Sequence, residues 1–399
     1  MHDLIVVGAR CAGATTALLA ARRGHRVLLL DRARFPADTL STLYIQQPGV
    51  ARLARWGVLD AVRASGCPPL DHVVYELGDV RVEGCCSGVD GHRAAYAPRR
   101  EVLDRLLVEA AVAAGAEFRD DCQVTGLVTD GDRVTGVRCA GPGGEVVERA
   151  ALVVGADGMR STVARLVGAP KTTEHPALTC AYYAFWHGPT ADFEMYEGDT
   201  GWISAVPTND DLVLVAAYAP QRRFDEVKRD ALASYRDLVR DNAPALHDRL
   251  AGAERVGRLH GTGDQQNYFR LAHGPGWALV GDAGHHKDSL TARGISDAFL
   301  QAELLVDALG EAVGDPAAQD AACAEYDRLR QEAMAENYAA TLLIAQEEAK
   351  PKRRALLTAV GSTPELTTRY FDAVAGILPV RELYTPELLG LMAAAAPAR

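Results

Sequence analysis

The chain has 399 residues, more than one average domain, so one large or two interleaved domains are expected. Its 48% hydrophobic and 24% charged residues suit a water-soluble globular protein, and no stretch approaches the ~18 apolar residues of a membrane span. A formal net charge of −11 argues against nucleic acid and anionic membranes as partners.

The N-terminus lacks a basic leader, and its apolar run Leu4 to Val7 stops at Gly8, so no signal peptide is expected. The eight cysteines (11, 67, 85, 86, 122, 139, 180 and 323) form no C-x-x-C and no metal-ligand spacing with histidine. They predict reduced thiols, a cytoplasmic location and no metal site. The neighbours Cys85 and Cys86 are expected to sit in a strand or turn.

Residues 3–8 read as a buried strand, 12–23 as an Ala/Leu-rich helix and 26–31 as a second buried strand. Such a βαβ unit requires parallel strands. Its turn, G-A-R-C-A-G at 8–13, has the rhythm of a dinucleotide-binding loop, with Arg10 where the middle glycine of G-x-G-x-x-G would stand. Asp31, at the end of the second strand and roughly 20 residues on, suits a ribose hydroxyl pair. Two readings of Arg10 stay open: its guanidinium pairs with a pyrophosphate, or it points away.

A helix follows at 48–64, then a hairpin around Gly78-Asp79 and a helix at 100–114 closed by Gly115. Two short strands around Asp130-Gly131-Asp132 are expected to form a second hairpin, and the strand ALVVG at 151–155 runs into GADGMRSTVAR. From 174 to 267 the pattern is β-like, with one helix near 225–240. The strand WALVG at 277–281 leads into a long helix, and everything after about 320 reads as helix.

Three features in this order carry a resemblance: the nucleotide turn, D-G-x-x-S-x-x-x-R at 157–165, and Gly281-Asp282 after a buried strand. The chain resembles the FAD-dependent aromatic hydroxylases, relatives of para-hydroxybenzoate hydroxylase, over roughly residues 1–310. The resemblance implies an α/β fold: a Rossmann-like, glutathione-reductase-type FAD-binding fold interleaved with a mixed β-sheet substrate domain and followed by a helical C-terminus. The FAD-binding domain would comprise 1–67, 98–173 and 268–320, the substrate domain 68–97 and 174–267, and the helical region 321–399.

The implied cofactor is FAD, with NADH or NADPH as a transient donor. Gly8, Ala12 and Gly13 would lie at the pyrophosphate, where both readings of the cofactor-binding candidate Arg10 stay open. Asp31 would lie at the adenosine ribose and Val124 at the adenine, with Arg32 a further cofactor-binding candidate. Arg100 would contact the flavin side and Asp282 the ribityl chain or pyrophosphate. Gly294 and Ile295 open a helix whose positive end would face the flavin. Asp157 belongs to a fingerprint linked to FAD and the nicotinamide donor, although a plain helix N-cap reading stays open beside it.

The sequence departs from the family after Gly-Asp, where Asp288 and Ser289 replace two prolines in a loop that carries His285 and His286. These histidines are candidate proton donors. Substrate-binding candidates are Tyr44, Gln46, Tyr75, Tyr183, Phe185 and Trp202, which suggest a flat, apolar or aromatic substrate.

The implied function is an NAD(P)H- and O2-dependent monooxygenase acting on a small aromatic or other electron-rich apolar substrate through a C4a-hydroperoxyflavin. A specialised-metabolism setting and a separate flavin reductase are both compatible. The rival reading is a geranylgeranyl-reductase-like enzyme acting on C=C bonds. A flavin halogenase fits less well, because it needs an early lysine and the first lysine here is Lys171.

Overall fold

The structure, a computed structural model, describes residues 1–395. The tail residues 396–399 of the expected helical region lie outside the described residues. Among these, the strands form sheets of eight, seven and three.

The opening βαβ unit forms as its pattern demands. Strand His2–Val7 pairs in parallel with Val27–Leu30, and helix Cys11–Arg22 connects them. Leu4, Ile5, Val6 and Leu28 to Leu30 are fully buried. At roughly 1.5–3 kcal/mol for each large apolar side chain removed from water, this strand pair anchors the first core.

His2–Val7 also pairs in parallel with Gly144–Gly155, which pairs with Trp277–Leu279. Glu117–Arg119 extends the opposite side, giving the order 277–279, 144–155, 2–7, 27–30, 117–119. Strand order reverses about the first strand, and such an open sheet binds ligands at the carboxyl ends on either side of that switch point.

The seven-stranded sheet runs Arg255–Thr262, Thr179–His187, Leu212–Pro220, Trp202–Pro207, Phe193–Glu197, Val73–Leu77, Val80–Gly84. Its inner strands Thr179–His187, Leu212–Pro220 and Trp202–Pro207 are buried on both faces, which is why they read as almost continuous apolar runs. The edge strands Arg255–Thr262 and Val80–Gly84 are largely half-buried or exposed. Cys180, Tyr182, Ala184 and Trp186 pack beneath the helices of 224–250, while Tyr183 and Phe185 share the opposite core. The C-terminal helices from Lys350 onward close that second face.

Three local expectations change. The helix expected at 48–64 is two helices, Gln47–Arg55 and Leu59–Ala64, because Gly57 turns the chain with φ 68°. The strands around Gly131 are long, Gln123–Asp130 and Arg133–Gly141. The helix near 225–240 is a series, Phe224–Arg229, Ala231–Asn242 and Pro244–Leu250, interrupted where Asp230 and Ala243 leave helical geometry. No helix of the described residues is long and apolar enough to cross a membrane.

Candidate active site

The carboxyl ends of the first, 144–155 and 277–279 strands converge on one continuous cleft of about 600 Å³. Gly8 leaves the first strand with φ 99°, and a Cβ there would lie 2.5 Å from the Ala156 carbonyl oxygen. A Cβ on Gly13 would lie 1.7 Å from the Gly8 carbonyl oxygen. Only glycine permits this packing of helix against turn. Gly281 closes the third side, where a Cβ would come within 2.7 Å of the Ala12 methyl.

Asp31, 7% exposed, braces the turn: Oδ2 accepts from the Ala9 N–H at 2.7 Å and Oδ1 from Ala33 at 2.8 Å. A carboxylate has about four acceptor positions, so it can still receive a ligand hydroxyl. Two helices, Cys11–Arg22 and Gly294–Leu309, begin at this cleft without a side-chain cap. Uncapped first-turn N–H groups and the positive helix end make each an anion-binding position.

The residues therefore fit a bound dinucleotide. Gly8, Arg10, Ala12, Asp31, Arg32, Arg100, Val124, Asp157, Asp282, Gly294 and Ile295 all line the cleft, with Gly13 packed just behind it. The Asp282 carboxylate forms no hydrogen bond or ion pair with any described residue. Its carbonyl oxygen instead accepts from the Tyr268 hydroxyl at 2.5 Å.

The Arg10 side chain is committed within the protein. Its Nη1 donates to Asp104 Oδ2 at 3.0 Å and to the Ala37 carbonyl at 3.1 Å. Arg100 donates to both oxygens of the same Asp104 from Nη2 at 3.0 Å. Asp104 is fully buried, and Cys11 Sγ donates to it as well. This carboxylate, unmarked in the sequence reading, holds both cleft arginines. Its position four residues after Arg100 on a helix was the available signal.

Asp157 acts as a cap. It accepts from Ser161 Oγ at 2.5 Å and from the N–H groups of Thr162 and Val163 at 2.6 and 3.1 Å. Burial raises its carboxyl pKa against the lowering by these bonds.

The loop that lost its prolines is stiffened by hydrogen bonds instead. Asp288 Oδ2 accepts from Thr179 at 2.7 Å, and the Asp288 N–H donates to Asn267 at 2.7 Å. Ser289 Oγ donates to Gln265 at 2.7 Å, whose amide donates to Thr179 at 2.8 Å. Lys287 also lines the cleft, buried and locked to Asp297, a site lysine that stands far from the N-terminal segment.

His285 and His286 line the cleft on a short strand, with each Nδ1 bonded to a backbone carbonyl, of Tyr268 and Gln266 respectively. That fixes Nε2 as the bare position on each ring. Burial, then the charges of Lys287 and Arg330, push the His285 pKa well below the usual 6.5, so it is neutral at pH 7. A histidine depressed in this way favours folding above pH 6.5, and that contribution is lost as pH falls below it. We expect the protein to lose up to about 1.4 kcal/mol per pH unit through this group below that point. His285→Phe should flatten the slope of denaturation midpoint against pH between 7 and 5; an unchanged slope would contradict the assignment.

Of the substrate candidates, Tyr183 lines the cleft, together with Ala181, Leu214, Ala216 and Tyr218 of the neighbouring strands. Tyr183 stacks on His260 with ring centroids 5.0 Å apart. Tyr44, Gln46, Tyr75, Phe185 and Trp202 are buried away from the cleft. Tyr44 packs on Phe193, and the Gln46 N–H donates to Ser296. The Tyr75 hydroxyl donates to Glu197, which Arg353 also holds. Phe185 lies under the Arg99 guanidinium, and Trp202 sits in the core of the seven-stranded sheet.

Comparison with known proteins agrees with this geometry. The family model described as "FAD binding domain" matches residues 1–341. The 6-methylpretetramide 4-monooxygenase of Streptomyces rimosus is 28% identical over 312 residues, covering 75% of this chain and 73% of that one. The digeranylgeranylglycerophospholipid reductase of Methanosarcina acetivorans is 27% identical over 325 residues, 78% and 76% of the two chains. The structure of the flavin-dependent brominase Bmp2 superposes with a TM-score of 0.80 at 18% identity, covering 98% of each chain, a likeness of fold.

Proposed function

The chain belongs to the FAD binding domain family and is a FAD-dependent oxidoreductase, and on that premise we propose that it is a monooxygenase hydroxylating a small aromatic or other electron-rich apolar substrate. NADH or NADPH and dioxygen are its co-substrates in this reading. The observation that carries it is the continuity of the cleft from the dinucleotide cradle to the wall of Ala181, Tyr183, Leu214, Ala216 and Tyr218.

In this reading residues 1–67, 98–173 and 268–320 hold the cofactor, and the mixed sheet of 68–97 and 174–267 supplies the substrate wall. The turn at Gly8–Gly13 and the start of the Gly294–Leu309 helix hold the negative groups of FAD, and Asp31 and Asp282 its hydroxyls. With FAD bound, the chemistry supplied is two-electron reduction by a nicotinamide and activation of dioxygen. The chain's own part is to position the substrate and exclude water. The loop Thr39–Thr42 lies along the cleft, and the wall beyond it offers methyl groups and two tyrosines. Because each Nδ1–H donates to a backbone carbonyl, the Nε2 atoms of His285 and His286 present lone pairs that can accept a proton at the cleft wall.

An aromatic contact contributes about 0.5–1.5 kcal/mol beyond its buried area. Tyr183→Ala is therefore expected to raise substrate Kd by up to about tenfold, with FAD content unchanged. Titration of the FAD-loaded variant checks this; an unchanged Kd would remove Tyr183 from the substrate wall.

A second reading, reduction of C=C bonds, is favoured by the similarity to the archaeal reductase and by the same apolar wall. Under nitrogen, NAD(P)H-reduced protein should leave alkenes unchanged if hydroxylation is the activity. Alkene saturation without oxygen would transfer the assignment to the reductase class.

A further inference from the structure

Away from the cleft, two nucleophiles stand side by side. Cys85 and Cys86 follow strand Val80–Gly84, and both Sγ atoms reach one acceptor, the Arg93 carbonyl, at 3.5 and 3.9 Å. Cys86 is buried, whereas Cys85 alone among the eight cysteines is only half-buried. The adjoining residue is tied down: the Ser87 N–H and Oγ donate to the Asp372 carboxylate at 2.7 and 2.9 Å. The pair thus sits on a held segment, with one thiol open to solvent and its partner next to it.

We propose that Cys85 and Cys86 are a peroxide-sensitive modification site that closes to a vicinal disulfide. The Cys85 thiolate attacks one oxygen of hydrogen peroxide, the O–O bond breaks, and hydroxide leaves and is protonated to water. The Cys86 sulfur then attacks the resulting Cys85 sulfenic acid; the S–S bond forms, the S–O bond breaks, and the Cys86 proton departs with the hydroxyl as water. Two thiols lose two electrons and two protons, and one peroxide becomes two waters.

The local electrostatics suit the first step. Hydrogen bonding from Cys86 and the charge of Arg93 hold the Cys85 thiol below its ordinary 9.0, which favours the attacking thiolate. Adjacent Cα atoms lie about 3.8 Å apart across a trans peptide, below the usual disulfide span. The bond is therefore strained and easily reduced, as in reversible rather than structural disulfides.

The test is peroxide treatment of the full FAD-loaded chain, alkylation with iodoacetamide and tryptic mass spectrometry. Cleavage at Arg81 and Arg93 places both cysteines in the single peptide 82–93. The expected result is loss of both alkylations from that peptide, a mass two hydrogens below the dithiol, and full recovery with dithiothreitol. The other six cysteines should stay unoxidised. Cys86→Ser should stop at a dimedone-reactive Cys85 sulfenic acid. Persistent alkylation of both residues, or oxidation that dithiothreitol fails to reverse, would overturn the proposal, and the wild-type peptide decides this even if the variant fails to fold.

Discussion

Asp104→Ala is expected to destabilise the protein by about 3–5 kcal/mol, the cost of leaving a buried charge without its partner. The carboxylate is fully buried and holds Arg100 through Nε and Nη2, Arg10 through Nη1, and the Cys11 thiol. Without it, two guanidinium groups lose the carboxylate they share, and Arg100 loses every acceptor it has among the described residues. Denaturant titration with cofactor removed measures the loss. Adding Arg100→Met should recover part of it, because the unpaired buried charge goes too. A loss under about 1 kcal/mol, the scale of a surface ion pair, would show that Asp104 is no hub.

Asp282→Ala should empty the protein of FAD while leaving the apoprotein as stable as the wild type. Its carboxylate has no partner among the described residues, so removing it breaks nothing internal. The opposite pattern is expected of Asp157→Ala: a stability loss of about 0.5–2 kcal/mol from the missing helix cap, with FAD largely retained. Absorbance after gel filtration reports cofactor content, and thermal unfolding reports stability. Equal FAD retention in the two variants would contradict the role given to Asp282.

Most of the architecture was legible in the sequence because its signals are local. The strand–Gly8–helix–strand unit announces itself by apolar runs and by glycines at positions where a Cβ would strike backbone. The same holds for Gly281-Asp282 after its strand. Partnerships between distant segments were not legible. Arg10 could be read toward a ligand or away from it; that it meets Asp104 depends on how the helix Arg100–Ala113 packs on Cys11–Arg22. Tyr75 and Trp202 look like pocket aromatics by residue type, yet a sheet with its inner strands buried on both faces places them in core. The loss of two prolines was legible after Gly281-Asp282, but the Thr179–Asp288 and Gln265–Ser289 bonds that hold the loop instead were not, because their partners come from distant segments. Lys287 carries no local signal either, because its place in the cleft depends on the fold and on its ion pair with Asp297.

The most direct test of the central claim is isotope transfer. The FAD-loaded protein would be given NADH or NADPH, 18O2 and a panel of flat aromatic substrates, with products read by mass spectrometry. The account predicts a product carrying one 18O atom, formed with one nicotinamide oxidised per hydroxylation, and the second oxygen recovered as water. Oxidation of the nicotinamide with no 18O in any panel member, together with saturation of an alkene under nitrogen, would contradict it and assign the cleft to reduction.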